Sequence, residues 1–281
     1  MRWRNRRQST NIFDRRGAGG RGGGIRMAGG MGGLGLVAFV VIALLLGVDP
    51  TALLAPSSGP APASYQGQDD LRDFAAVVLA DTEDVWQARF AAEGGTYEPV
   101  PIVLYTARTS SGCGLADSAI GPFYCPGDQR IYLDLSFFDQ LERGLGARGD
   151  FARAYVIAHE VGHHVQDQLG ILSAIDRRMA GLPEAEANAL SVRLELQADC
   201  LAGIWAQDAE AQLGVLEPGD IEEALGAAGR IGDDVLQERG QGYVVPDSFT
   251  HGTAQQRINW FRRGYESDDL RDCDTFSAGV L

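Results

Sequence analysis

The chain has no lysine; all 24 of its basic residues are arginine. We read this as composition bias without functional content. Acidic residues number 38, and the resulting formal net charge of −14 argues against a nucleic-acid partner. Histidine is scarce, with four in 281 residues, so any clustering of histidines carries information. The four cysteines include no CxxC pair, which speaks against a cysteine-based zinc site. No internal repeat divides the chain.

What charge there is lies unevenly. Residues 1–26 hold eight arginines against the single acid Asp14. Residues 27–48 carry no charge, and these 22 residues, at about 1.5 Å each, match a bilayer's hydrocarbon thickness. The expectation is a transmembrane helix over 27–48 that anchors the protein in the cell membrane as a single pass. The arginine-rich arm 1–26 would stay cytoplasmic and everything after it would be extracytoplasmic. A cleaved signal is disfavoured because the small residues at Ala61-Pro62-Ala63 stand far beyond the apolar run. The pairs Arg6-Arg7 and Arg15-Arg16 hint at twin-arginine export. Residues 49–70, with four prolines among Ala, Ser and Gly, read as a linker. Residues 71–281 then suit one domain.

Within that domain the apolar spacing predicts a helix over 71–92, and PVPIVLYT at 99–106 reads as a strand. Tyr124-Cys125 and Arg130–Leu135 flank a CPGDQ turn and predict a hairpin. Helices are expected over 150–169, 184–212, about 219–239 and 253–265. A few strands followed by many helices indicate an α+β fold.

Three of the four histidines fall in AYVIAHEVGHHVQDQLG, residues 154–170. His159-Glu160-Val161-Gly162-His163 is an HExxH motif on an amphipathic helix. Positions i and i+4 stack on one face, so His159 and His163 can address one ion. Glu160 is rotated by roughly 100°, beside the ion, as a candidate general base. His164 is off that face and reads as a bystander, solvent-facing or hydrogen-bonded. A catalytic zinc site needs a third protein ligand and an open fourth position. HExxHxxGxxH is ruled out, since Gln166 and Leu169 stand where Gly and His would be needed. In RLELQADCLAGIWA, Glu195 and Asp199 are the only charges between 194 and 206 and share one helical face. We assign Glu195 as third ligand and Asp199 as acceptor for the free N–H of a ligating histidine. Asp199 as the ligand, or a salt bridge to Arg193 or another arginine, remain alternatives. Four cysteines in a domain outside the cytoplasm suggest two disulfides, and the nearest pairing of three is Cys113–Cys125 with Cys200–Cys273.

HEVGHHVQ, RLELQADCLAG and THGTAQQRINWF together resemble the bacterial neutral zinc metallopeptidases, membrane-anchored proteins of the gluzincin type. The resemblance implies a zincin-like domain and one zinc ion, Zn2+, held by His159, His163 and Glu195, with Asp199 supporting a histidine. It also implies that His251 faces the substrate carbonyl and that Arg257 orients it or holds a nearby carboxylate. Zincins commonly receive substrate as an added strand, a role given to residues 130–134. The function so implied is hydrolysis of peptide bonds in a peptide or protein substrate outside the cytoplasm. The competing readings are a tethered zinc-binding protein without activity and a zinc amidase acting on the cell envelope.

Overall fold

The computed structural model describes residues 1–17, 68–277 and 279. The expected membrane helix at 27–48 and nearly all of the 49–70 linker lie outside the described residues. Among the described residues no helix is long and apolar enough to cross a membrane.

The fold is α+β and helix-rich. Strands β1 (Ile12–Asp14), β2 (Ile102–Tyr105), β6 (Arg130–Asp134) and β5 (Phe123–Cys125) form one sheet in the order β1-β2-β6-β5. The first three run parallel, and β5 turns back antiparallel to β6 through the expected hairpin. β3 (Arg108–Ser111) and β4 (Gly114–Asp117) make a separate antiparallel ribbon, tied to β5 by the Cys113–Cys125 disulfide.

β6 pairs with β2 on one side and β5 on the other. Residues 130–134 therefore have no free edge for a substrate strand, which corrects that expectation. The alternation that marks 130–134 as a strand is the same for a central and an edge strand. Among the described residues the edge strands of this sheet are β1 and β5.

The helices are α1 (Asp69–Ala92), α2 (Asp150–Gln168), α3 (Ile171–Met179), α4 (Glu184–Leu213), α5 (Asp220–Arg230), α6 (Asp233–Gln241) and α7 (Ala254–Tyr265). The single helix expected over 219–239 is broken at Ile231-Gly232, because Asp233 starts a new helix and accepts the backbone N–H groups of Thr250, His251 and Gly252. Helix α7 begins at a capping box in which Thr253 and Gln256 satisfy each other's backbone N–H.

The core is one large cluster, with smaller ones around Val103, Tyr105 and Tyr132 and around Ile175, Met179 and Leu194. Phe74, Leu79 and Trp86 of α1, Leu104 of β2, Leu133 of β6, Phe151 and Tyr155 of α2, Trp205 of α4 and Phe261 of α7 are all nearly fully buried in the large one. Small residues let the helices approach closely. A Cβ at Gly162 would sit 3.0 Å from the Ala198 carbonyl oxygen, so α2 rests almost directly on the α4 backbone. Gly203 of α4 and Gly264 of α7 meet in the same way, each facing the other helix's backbone. Three helices are thus brought together around the HExxH segment.

Residues 1–17 do not form a separate arm. Besides β1, they place Trp3 edge-on against Phe74 at 5.4 Å and bury Met1 in the core. The folded unit therefore begins well before residue 71, and the boundary expected there is corrected.

Candidate metal centre

His159 and His163 project from successive turns of α2, their rings 4.8 Å apart and nearly perpendicular. Glu195, from the middle of α4, closes the third side. Its Oε2 lies 3.1 Å from His159 Nε2 and its Oε1 lies 3.5 Å from His163 Nε2. Two donors on a tetrahedral zinc with bonds of about 2.0–2.1 Å are separated by about 3.3 Å. The three side chains thus have the spacing and chemistry of a zinc site, and their ligand atoms form one of two candidate clusters among the described residues. The other, Asp150, Asp220 and Glu223, is engaged by the Met1 amino group, 2.5 Å from Asp150 and 3.1 Å from Asp220.

The far side of each imidazole is held. His159 Nδ1 donates to Asp199 Oδ1 at 2.8 Å. Asp199 is fully buried, and Tyr155 Oη and Arg257 both donate to it as well. Arg257 binds it two-pronged, Nε to Oδ2 at 2.8 Å and Nη2 to Oδ1 at 3.0 Å. Burial alone would raise the Asp199 carboxyl, but the charges of Arg257 and His159 hold it at about 2. Asp199 is bonded to Nδ1 of His159, on the side of the ring opposite the Nε2 that faces Glu195.

His163 Nδ1 donates to the amide oxygen of Gln166 at 2.9 Å. The Gln166 amide is oriented by its own donations to the Leu194 carbonyl (2.8 Å) and Gln197 Oε1 (3.0 Å). Gln197 in turn donates to the Cys273 carbonyl at 3.0 Å, where the Cys200–Cys273 disulfide ties the C-terminal segment to α4. Both imidazoles are therefore fixed with Nδ1 protonated and Nε2 turned toward Glu195.

Without an ion the cluster neutralises itself. Burial opposes charge on His159, yet Asp199 and Glu195 raise it to about 10. Glu195 is held well below the usual carboxylate range, against the effect of burial, by the charges of His163 and His251.

His251 sits just before α7. Its backbone N–H donates to Asp233 Oδ2 at 2.7 Å and its Nδ1 lies 3.2 Å from Asp233 Oδ1. Burial lowers its basicity, but Glu195 and Asp233 outweigh that and raise it. Of the two roles implied for Arg257, holding a carboxylate fits the structure, since its donations go to Asp199, Tyr155 and the Ile231 carbonyl. Glu160 is buried on α2 next to His159.

His164 is buried against Tyr124 and the Glu98 carbonyl and faces away from the cluster. It fastens α2 to β5. Sequence reasoning missed Tyr155, Gln166 and Asp233. Tyr155 stands four residues before His159 and Gln166 three after His163, so helical spacing alone could have flagged both.

The chain matches the family model described as "Putative neutral zinc metallopeptidase" over residues 1–276. It is similar to the uncharacterized protein YpfJ of Escherichia coli strain K12, 49% identical over 292 residues and covering all of both chains. It is also similar to the uncharacterized protein Rv2575 of Mycobacterium tuberculosis strain H37Rv, 41% identical over 268 residues, covering 85% of this chain and 86% of that one. No solved structure gives a significant match. The HExxH helix, the crossing carboxylate and this match along nearly the whole sequence lead to one conclusion: the chain belongs to the neutral zinc metallopeptidase family.

Proposed function

We propose that the protein is a zinc-dependent peptidase in which His159, His163 and Glu195 hold the metal, Glu160 is the general base and His251 assists at the substrate carbonyl. The observation that carries this reading is the convergence of His159 Nε2, His163 Nε2 and the Glu195 carboxylate at 3.1–3.5 Å, with an acid not needed for ligation adjacent at 160. A zinc ion held there supplies a Lewis acid for the scissile carbonyl and acidifies a water toward a pKa of about 7.

The chain's own groups do the rest. Glu160 takes the proton of the attacking water and passes it to the leaving amine. His251, made more basic by Glu195 and Asp233 against the effect of burial, donates a hydrogen bond to the oxygen that gains charge. The open edge of β5 can accept an extended peptide as an antiparallel strand. Tyr124 of β5 touches His164 of α2, so such a peptide would lie against the metal-bearing helix.

Glu160→Gln should retain one zinc per chain and lose turnover of an unfolded protein substrate. Activity in that variant comparable to the parent would overturn the assignment. An active, chelator-insensitive parent would refute zinc dependence itself.

A further inference from the structure

The two described stretches on either side of residues 18–67 are locked together. Strand β1 pairs in parallel with β2, with Ile12 opposite Ile102 and Asp14 opposite Leu104. The Ile102 amide donates to the Asn11 carbonyl at 2.9 Å and the Arg15 amide to the Leu104 carbonyl at 2.8 Å. Glu83 of α1 is buried, and Ser9, Asn11 and Arg7 all donate to it. Asp81, buried on the same helix, pairs with Arg6 at 2.8 Å. Removing residues 1–17 would strand both carboxylates in the core without these donors, at a cost that a merely adhering arm would not carry.

The points where the chain leaves and returns are also adjacent. Arg16 Nη1 donates to the Gln68 carbonyl at 3.2 Å and Arg16 Nη2 lies 3.4 Å from Asp69. A single crossing would separate these residues by a hydrocarbon layer of about 30 Å. Residues 16 and 68 therefore stand on one face of a bilayer for as long as these bonds hold.

We propose that residues 1–17 and the metal-site domain lie on the same side of the membrane. This replaces a cytoplasmic arm joined to an extracytoplasmic domain, and it is independent of the catalytic reading.

The absence of lysine provides the test. Gln8 on the arm and Glu238 on α6 are exposed, so Gln8→Lys and Glu238→Lys each give the full-length chain one lysine side chain. Each variant is treated with a membrane-impermeant sulfonated amine-reactive ester in sealed right-side-out and inside-out vesicles, with the unsubstituted chain as background. Both lysines should be labelled in the same vesicle preparation and protected in the other. Labelling in opposite preparations would overturn the proposal. Amide hydrogen exchange of the vesicle-bound chain gives a second measure, in which Arg15 should exchange slowly. Fast exchange there would show the arm undocked and would overturn the proposal.

Discussion

The amide oxygen of Gln166 lies 2.9 Å from Nδ1 of His163, one helical turn beyond the imidazole it steadies. The two zinc-ligand candidates on α2 thus have different supports, a buried carboxylate for His159 and a neutral amide for His163. Gln166→Leu removes the acceptor while keeping a buried side chain of similar size. Zinc affinity should fall on the order of 10–100-fold, the usual cost of losing such a support. Competition with a chromophoric chelator reads this directly, and an unchanged Kd would remove Gln166 from the site.

Among the described residues Arg257 is the only cation bonded to Asp199 besides the His159 imidazole. Arg257→Ala leaves a buried carboxylate with two of its three donor groups, so stability should drop by about 3 kcal/mol. Arg257→Lys should recover little of this, because an ammonium does not reproduce the two-pronged contact. Urea unfolding of the metal-free proteins measures both; a variant within error of the parent would show the pair to be neutral.

The pH dependence of the metal-free chain follows from His159 and Asp199. His159 is raised from 6.5 to about 10, burial opposing and Asp199 prevailing, so its contribution is complete below 6.5 and lost as pH climbs toward 10. Asp199 is lowered from 3.8 to about 2, so its contribution is present above 3.8 and lost as pH falls toward 2. The metal-free protein should resist urea best between these windows. Because zinc displaces the His159 proton, zinc affinity should rise about tenfold per pH unit from 6.5 upward. A Kd flat across that range would contradict the charge arrangement.

Gly162 sets the spacing between α2 and α4. A Cβ there lies 3.0 Å from Ala198 O and 3.2 Å from Ala198 Cα, which a small shift can absorb. Gly162→Ala should therefore bind zinc with modest loss. Gly162→Val should push Glu195 away from the histidines and abolish stoichiometric binding. Metal analysis after gel filtration tests this, and full zinc content in the valine variant would show that the helices can separate without cost to the site.

What the sequence discloses of the site depends on distance along the chain. His159 and His163 are legible because one helical turn relates them, whatever the rest of the fold does. Glu195 and Asp199 are legible because two acids in an apolar helix need partners. Tyr155 and Gln166 carry no such tension, since a tyrosine or glutamine in a helix needs no special explanation. Strand β1 is the clearest miss: IFD at 12–14 is three residues long and is a strand only because β2 lies beside it. The central place of β6 was hidden for the same reason, as neighbours in a sheet are chosen by the tertiary fold.

The self-neutralising arrangement of the cluster bears on the order of events in making this protein. Arg257 answers Asp199, His251 answers Asp233, and the protonated imidazole of His159 answers Glu195, so each of these three carboxylates already has its opposite. Small zinc domains that collapse only around their ion have no such reserve. With zinc as the proposed ion, the chain would complete its folding with protons in the metal's place, and loading would be an exchange reaction at a finished socket, scheduled by metal supply and acidity rather than by synthesis.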